Sequence, residues 1–208
     1  MSSEQNTSLQ SANQSDVRVD SFKGRKAIIK RVLHPRVPLL RRVEWWLLAR
    51  EARILQKLQH LPWIPDFLGY PSDYSFAMGY REGVTLREVD PSGLPPSFFR
   101  ELTEAVSELH KQGIVHSDLK RKENIMVTPA NSPVLIDFGA AFQLKQSFRP
   151  LNNWLYRPFK RIDENAVAKY KQRYCPKLLD EEELRGLNEP VFLEKLSRFG
   201  RKYILFRE

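Results

Sequence analysis

The sequence has little of what marks secreted, membrane-spanning or disulfide-stabilised proteins. Its single cysteine, Cys175, has no second cysteine in the chain with which to form an internal disulfide. The longest run of apolar residues comprises the five from Trp45 to Ala49, whereas a membrane-spanning helix needs about 20. The first residues contain no apolar stretch of the signal-peptide kind. These absences favour a reducing, cytoplasmic setting without a transmembrane helix.

Acidic residues are in the minority, and the basic excess is concentrated in two blocks. Residues 23–57 hold eleven Lys or Arg against two acidic residues, and residues 143–177 hold nine against two. The net charge of +9 is compatible with nucleic acid, anionic lipid or a phosphorylated ligand, and equally with solvated helix surfaces. The chain has no zinc-ligand spacing and no RNA-binding signature, which argues against nucleic acid.

The first half of the chain is patterned as a tail followed by a small sheet and one long helix. Residues 1–15 are almost entirely Ser, Gln, Asn and Thr, which predicts a disordered tail. Residues 16–32 predict a β-hairpin that turns at Lys23-Gly24-Arg25. Apolar residues at helical spacing predict a helix over 39–58, and short strands follow in the stretch 67–79.

The second half is patterned as helices around a second hairpin. A helix is expected over 97–110, with its first residue, a serine, as the N-cap. Two brief apolar runs, 125–127 and 134–136, flank a turn-rich segment and predict the hairpin. Further helical patterning covers 163–170 and 180–199. A chain of 208 residues, of which 41% are hydrophobic, can bury a core in one compact unit or two small lobes.

Two segments carry the strongest chemical signal. The first is GIVHSDLKRKENIM at 113–126, and the second, after the predicted hairpin turn, is VLIDFGAA at 134–141. Phosphoryl transfer needs a carboxylate that orients the attacking hydroxyl, and oxygen ligands that hold magnesium against the phosphates. Protein kinases supply these groups from an H-R-D-L-x-x-x-N loop and a D-F-G turn. The sequence resembles the protein kinases at both motifs.

The resemblance assigns a role to each polar residue of the two motifs. Asp118 corresponds to the catalytic base or hydroxyl orienter, and Lys120 to the stabiliser of charge on the transferring phosphoryl group. Asn124 and Asp137 correspond to the metal ligands, and His116 to a structural residue. The cofactors implied are ATP and Mg²⁺ or Mn²⁺.

The upstream half resembles the nucleotide-binding part of the same family. Lys30 ends the strand KAIIK, which is similar to the V-A-I-K of kinases, and Glu51 lies in REARILQKL, which is similar to the helix whose Glu pairs with that lysine. Met78-Gly79-Tyr80 then corresponds to the hinge over the adenine. These four residues, Lys30, Glu51, Met78 and Tyr80, are the predicted nucleotide-binding residues.

The departures from the family pattern define a reduced kinase. Five residues separate Asp118 from Asn124 instead of the family's four, so either the loop bulges or Asn124 is displaced. No G-x-G-x-x-G precedes Lys30, which leaves the turn at Gly24 as the expected, shorter phosphate cover. No A-P-E follows Gly139, and little chain remains for a peptide-docking lobe.

The reduced pattern resembles RIO-type kinases and bacterial lipopolysaccharide-core (Kdo) sugar kinases most. The resemblance implies an α+β, bilobal protein-kinase-like fold with a small antiparallel β-sheet N-lobe over 16–80 and a truncated helical C-lobe over 81–208. Two functions follow from it. The first is a RIO-like Ser/Thr kinase or ATPase, or else a sugar kinase, with a hydroxyl of a protein or sugar as acceptor. The second is a nucleotide-binding pseudokinase that acts through a partner. A third function is independent of the resemblance, namely a basic nucleic-acid or membrane adaptor whose kinase likeness is incidental.

One further segment bears on partners. Residues 148–162, FRPLNNWLYRPFKRI, interleave four aromatic with four basic side chains. Such a segment could lie on the anionic inner face of a membrane, and aromatic residues at this spacing also form core contacts. Peripheral membrane contact through this segment is therefore one expectation and internal packing is the other.

Overall fold

The structure is a computed structural model that describes residues 15–33, 36–143 and 149–188. The predicted tail lies outside the described residues except for Ser15, where the first strand begins. Within the three described ranges, no helix combines the length and the apolar character that crossing a bilayer requires.

The N-terminal lobe is an antiparallel sheet with a single long helix, as the sequence predicted. The strands and the helix are β1 (Ser15–Phe22), β2 (Arg25–Val32), α1 (Pro38–Leu58), β3 (Phe67–Gly69) and β4 (Ser75–Gly79). The sheet order is β1-β2-β4-β3. Lys23 and Gly24 connect β1 to β2 with φ angles of 52° and 72°, a pair of positive values that matches the right-handed twist of a two-residue hairpin.

Helix α1 presents an apolar face to the sheet and to the rest of the core. Leu48, Leu55 and Leu58 lie on that face and are almost fully buried, and each such burial contributes about 1.5–3 kcal/mol. The two acidic residues of the helix, Glu44 and Glu51, are buried on the same side. A buried carboxylate requires a partner, and for Glu51 the partner is Lys30.

The second lobe combines short strand pairs with three helices. Its elements are β5 (Val84–Thr85), α2 (Pro96–Lys111), β6 (Ile114–Val115), β7 (Ile125–Val127), β8 (Pro133–Leu135), β9 (Phe142–Gln143), α3 (Arg149–Tyr174) and α4 (Glu181–Asn188). Strands β7 and β8 form the predicted second hairpin. On its other side β7 pairs with β5, and β6 pairs with β9. The fold is thus α+β and protein-kinase-like, with the small sheet in the first lobe.

Two helix boundaries differ from the sequence prediction. Helix α2 is capped by Pro95 and begins at Pro96, so Ser97 is inside the helix and is not its cap. Proline suits the first helical position because its missing N–H would have no partner there. Helix α3 begins far upstream of residue 163 and continues through Pro158, because packing against α2 outweighs the hydrogen bond that this proline lacks. Of the helix predicted over 180–199, the structure describes residues up to Asn188.

Candidate active site

A lysine between two carboxylates lies where the two lobes meet. Lys30 Nζ is 2.6 Å from Glu51 Oε1 and 3.3 Å from Asp137 Oδ1. The side chains of Lys30 and Glu51 are each 5% exposed. Burial alone would lower the pKa of Lys30, but the charges and hydrogen bonds of Glu51 and Asp137 outweigh burial and raise it. The lysine is therefore held in its charged form.

Local sequence explains how these residues meet. Strand β2 alternates its side chains, so Lys30 lies on the same face as Ile28 and the buried Val32. On α1, Glu51 follows Leu48 by three residues and precedes Leu55 by four, so the same packing that buries the leucines turns the carboxylate inward. The hydrophobic face of the helix thereby positions its one functional side chain.

Asp137 occupies a strained position between the lobes. Its φ and ψ are 62° and 70°, in the left-handed region that non-glycine residues enter at a cost of about 1–3 kcal/mol. The next residue, Phe138, is fully buried, and its ring lies 4.8 Å from that of His116. Burial would raise the pKa of Asp137, but the neighbouring Lys30 outweighs it and lowers the pKa. The carboxylate is thus ionised and anchored by the ring that follows it.

Asn124 stays beside Asp118 despite the extra residue in their loop. Its side-chain amide donates to the backbone carbonyl and to Oδ2 of Asp118, both at 3.0 Å. The additional residue is taken up by a turn in which Arg121 N–H bonds to the Asp118 carbonyl at 3.3 Å, followed by a 3-10 turn over Lys122–Asn124. Of the two expectations for this loop, the structure shows the bulge.

Asp163 of α3 holds the backbone just before Asp118, and sequence reasoning missed it. Its carboxylate is fully buried and accepts hydrogen bonds from the N–H groups of His116, at 2.7 Å, and Ser117, at 2.8 Å. Ser117 has a φ of 69°, so the backbone there is strained and needs such support. The available signal was an aspartate in line with the buried Tyr156, Val167 and Tyr170 on the apolar face of a helical pattern.

His110 faces the same carboxylate from helix α2. Its Nε2 lies 3.3 Å from Asp163 Oδ2, and its Nδ1 lies 3.7 Å from Glu164 Oε1. Burial would lower the pKa of the imidazole, but the hydrogen bonds and charges of the two carboxylates outweigh it and raise the pKa. The imidazole therefore balances part of the negative charge that Asp163 brings into the core.

Arg50 is a second contact that sequence reasoning missed. It precedes Glu51 on α1, and its Nη2 donates to the carbonyl oxygen of Gly139 at 2.6 Å. The neighbouring residues Arg50 and Glu51 thus attach α1 to the D-F-G turn and to Lys30 respectively. This contact could not be predicted, because α1 contains several basic residues and nothing in the sequence distinguishes Arg50 from the others.

A cleft of about 410 Å³ opens between the lobes and is lined by most of the predicted site. The predicted residues that line it are Lys30, Met78, Tyr80, Asn124 and Asp137. Its walls are largely apolar, as expected of a nucleotide-sized site with a few convergent polar groups. Glu51 lies behind Lys30, and Asp118 and Lys120 are not among the residues that line the cleft.

Asp118 and Lys120 lie on the loop next to the cleft. The side chain of Asp118 is 27% exposed and lies 3.9 Å from Arg121 Nη1. Lys120 is exposed, and its backbone carbonyl accepts a hydrogen bond from the hydroxyl of Tyr170 at 3.1 Å. The hydrogen bonds of Asn124, which lines the cleft, connect Asp118 to it.

The donor set fits a magnesium ion that is completed by a ligand. Among the described residues, no three His, Cys, Asp or Glu side chains cluster as a metal cage would require. Mg²⁺ in phosphoryl-transfer sites uses one or two carboxylates, with phosphates and waters as its other ligands. The Asp137 carboxylate and the Asn124 amide, which line the same cleft, suit that kind of site.

The turn at Gly24 lies at the end of β2 away from Lys30, contrary to the expectation that it covers the phosphates. Tyr80 N–H donates to the carbonyl of Lys26 at 3.2 Å, which places the turn at the hinge end of the sheet. Lys30 is six residues further along β2, or roughly 20 Å away at strand rise. At the Lys30 end of the hairpin, Ser15 lines a cavity together with Asp137. Pairing of β2 with β4 decides which end faces the cleft, and the hairpin sequence alone leaves that choice open.

The aromatic and basic segment 148–162 is described in part. Residue 148 lies outside the described residues, and the structure describes the side chains of α3 only from Tyr156 onward. Tyr156 is buried and donates to the carbonyl of His110 at 2.9 Å. Tyr156 is thus packed inside the protein, as one of the two expectations for this segment held. Membrane contact through the rest of the segment stays a prediction.

Comparison with known proteins agrees with this geometry. The family model described as protein kinase domain matches residues 23–158. Serine/threonine-protein kinase D of Synechocystis sp. is 33% identical over 100 residues, which span 45% of this chain and 20% of that protein. Serine/threonine-protein kinase pkn2 of Myxococcus xanthus is 33% identical over 132 residues, which span 57% of this chain and 15% of that protein. The chain thus corresponds to a minor part of these longer relatives.

Solved structures share the fold. The Rio2 kinase of Chaetomium thermophilum, in a complex with ADP, Mg²⁺ and phosphoaspartate, superposes with a TM-score of 0.61 at 16% identity, and covers 84% of this chain and 57% of its own. A second structure of the same kinase superposes with a TM-score of 0.57 at 17% identity. At such identities the likeness shows the fold alone. The family match, which extends from the hairpin to helix α3, shows that the chain belongs to the protein kinase family.

Proposed function

We propose that the chain is an ATP-dependent phosphotransferase that works with Mg²⁺ or Mn²⁺ and transfers the γ-phosphate to a hydroxyl group. The observation that carries this proposal is the series Glu51–Lys30–Asp137, with separations of 2.6 and 3.3 Å, in which Glu51 and Lys30 are buried and Asp137 is partly buried. Burying charged groups is costly unless they are paired. A cation fixed in this way at the wall of a nucleotide-sized cleft suits the phosphates of ATP.

Each residue has a role in the proposed reaction. Lys30 holds the α- and β-phosphates, and Asp137 with Asn124 holds the metal ion, whose positive charge offsets the charge of the phosphates when it is bound. Asp118 orients the acceptor hydroxyl and accepts its proton, and Lys120 offsets the negative charge of the phosphoryl group in transit. The hydrogen bonds from Asn124 to Asp118 hold the metal ligand and the proton acceptor next to each other.

In this proposal the hinge residues contact the adenine through apolar packing. Gly79 N–H already donates to Asp66 and Tyr80 N–H to Lys26, at 2.8 and 3.2 Å. These two donors are therefore occupied within the sheet. Met78 and Tyr80 line the cleft and provide apolar walls against which the base packs.

Separate substitutions test binding and chemistry. Lys30→Ala and Asp137→Ala should abolish Mg-dependent ATP binding, measured by calorimetry, because they remove the phosphate cation and the metal ligand. Asp118→Ala should abolish phosphate transfer or release while ATP binding survives. Glu104→Gln is the control, since it removes an exposed carboxylate from helix α2 that does not line the cleft. Unchanged phosphate release in Asp118→Ala would refute the role of that residue, and retained ATP binding in Lys30→Ala would refute the site.

The acceptor separates the finer versions of this function. The RIO-like kinase or ATPase version is favoured by the shared fold with Rio2, and a sugar kinase is the alternative. Incubation with γ-labelled ATP and a fractionated cell extract distinguishes them. Label on this chain that hydroxylamine removes indicates an aspartyl phosphate of the kind named in the Rio2 complex, and hydroxylamine-resistant label on a protein indicates Ser or Thr. Label in a sugar or lipid fraction indicates the alternative.

A pseudokinase is the outcome if ATP binds but no fraction takes up label. The sequence feature in its favour is glycine content, because the 23 residues before Gly24 contain no glycine with which to form a phosphate-covering loop. Phosphate release without any acceptor would exclude this outcome, since a pseudokinase binds nucleotide without turnover.

A further inference from the structure

The outer surface of helix α1 carries an apolar patch. Six of the nine large hydrophobic side chains that are exposed among the described residues lie between residues 33 and 46, namely Leu33, Val37, Leu39, Leu40, Val43 and Trp46. Exposed hydrophobic residues scattered singly are normal in proteins, whereas a contiguous cluster marks a contact surface. Three of them, Leu39, Val43 and Trp46, share one face of α1 and are referred to as the α1 patch.

The patch is a continuous stripe on the solvent side of the helix. Leu39, Val43 and Trp46 are spaced by four and three residues, which places them on one face, and they are 74%, 52% and 58% exposed. Leu48 and Leu55, in contrast, lie on the opposite face in the core. The core of the lobe is therefore complete without the patch, and packing within the described chain does not explain its apolar character.

The charge around the patch is of one sign. The two acidic residues of α1, Glu44 and Glu51, are buried, so every charged group that α1 exposes is basic. Arg42 is exposed beside the stripe, and Arg53 and Lys57 are exposed further along the same helix. A helix that combines leucine and tryptophan with arginine at its water-facing surface has the composition of a segment that binds an anionic lipid interface.

We propose that α1 docks on an anionic membrane surface, with the α1 patch inserted at the level of the lipid head groups and the surrounding arginines against the acidic lipids. This surface is distinct from the segment 148–162 and does not depend on the proposed phosphotransfer. The patch is exposed, whereas Glu51 is buried on another side of α1, so docking would leave the pair with Lys30 unobstructed.

Other occupants fit the patch less well. A second copy of the chain would bring arginines against arginines, which opposes association. Residues 189–208 hold five basic against three acidic residues, and residues 1–14 hold a single charged side chain, so neither terminal segment offers the negative charge that this surface would attract. An acidic lipid surface supplies both the apolar layer and the negative charge.

Vesicle co-sedimentation of the full chain tests the proposal. Wild type should sediment with phosphatidylcholine vesicles that contain phosphatidylglycerol and should stay in solution with phosphatidylcholine alone. Trp46→Gln and Leu39→Gln should each weaken binding by about tenfold or more, since each removes the burial of a large apolar side chain. Arg42→Gln should weaken it by roughly fivefold, the effect of one basic residue near an anionic surface.

Matched controls show whether weaker binding is specific to the patch or follows from the loss of any exposed leucine or arginine. Leu184→Gln removes an exposed leucine from α4, and Arg100→Gln removes an exposed arginine from α2, and both should bind vesicles like wild type. Thermal unfolding should show that all five variants are folded, because each position is at the surface. ATP binding in solution is measured in parallel, so a failure of the proposed function is seen separately.

Three results would overturn the proposal. One is wild type that fails to sediment with the acidic vesicles. Another is patch variants that bind as well as wild type, which together with weaker binding of Arg157→Gln would place the membrane contact in segment 148–162. The third is concentration-dependent dimerisation in analytical ultracentrifugation that Trp46→Gln abolishes, which would identify a second copy as the occupant.

Discussion

Replacing Asp163 by asparagine tests how the second lobe holds the site. The carboxylate is fully buried and accepts two backbone N–H groups, those of His116 and Ser117, at 2.7 and 2.8 Å. Asparagine has nearly the same size, but only one of its two terminal atoms can accept a hydrogen bond. Its amide nitrogen would face one of the two backbone donors and leave that donor unsatisfied. The substitution also removes the negative charge opposite His110.

The size of the effect follows from these contacts. A buried donor without an acceptor costs about 1–3 kcal/mol, and removing one partner of a buried charged pair costs about 3–5 kcal/mol. Since the two penalties overlap in a single side chain, we expect Asp163→Asn to lower the free energy of unfolding by about 3 kcal/mol. For a chain of this length that loss lowers the melting temperature by roughly 6–12 °C.

Thermal unfolding followed by circular dichroism measures the loss, and Glu164→Gln is the control. Glu164 is the adjacent carboxylate, faces the same His110 at 3.7 Å and is 48% exposed, so its loss should shift the midpoint little. Phosphate transfer by Asp163→Asn, at temperatures where it is folded, should slow by about tenfold or more because the backbone before Asp118 is released, while ATP binding is retained. Equal melting temperatures for the two variants would refute the reasoning.

Three further predictions concern the backbone, pH and α1. Gly83→Ala should lower the free energy of unfolding by about 2 kcal/mol or more, since Gly83 has a φ of 141° and an added Cβ would overlap the carbonyl oxygen of Val127; Gly93→Ala, with open space around it, should be neutral in the same denaturation assay. The pKa of His110 is raised on folding, so the stabilisation that its charged form provides is fully present below the ordinary pKa of 6.5 and is lost as pH rises through the raised value. Urea unfolding of wild type and His110→Gln should therefore show that the difference between their free energies of unfolding shrinks as pH rises over this range. A pH-independent difference would contradict this prediction. Arg50→Ala should cost about 1–2 kcal/mol through the lost charge-assisted hydrogen bond to the D-F-G turn, measured by urea unfolding, and an unchanged midpoint would show that the bond contributes nothing.

Much of the site could be predicted because its residues lie in short motifs. Asp118 and Asn124 are six positions apart in one loop, and the apolar runs around them predicted the hairpin that carries Asp137. Lys30 and Glu51 were predicted because KAIIK and REARILQKL resemble the corresponding strand and helix of kinases, and the structure brings their atoms to 2.6 Å. Short motifs were enough to predict these residues because each motif lies in or next to a regular strand or helix.

The misses arose where a choice between local alternatives depends on distant residues. Ser97 is a good cap by composition, but Pro96 begins the helix first. Pro158 normally ends a helix, yet α3 continues through it. The loop between Asp118 and Asn124 could bulge or displace the asparagine, and the hydrogen bonds between the two residues decide for the bulge.

The sequence by itself determined the chemical groups and the regular elements that present them: the cation on β2, the carboxylate on α1, and the two motifs that flank the second hairpin. Only the tertiary structure decided which end of the first hairpin faces the cleft and which aspartate supports the backbone. The reason is that strand pairing and burial act between residues far apart in the chain. Gly24 was assigned to the wrong end because β4 sets the orientation of β2, and Asp163 was missed because its two hydrogen-bond donors lie 47 and 46 residues earlier.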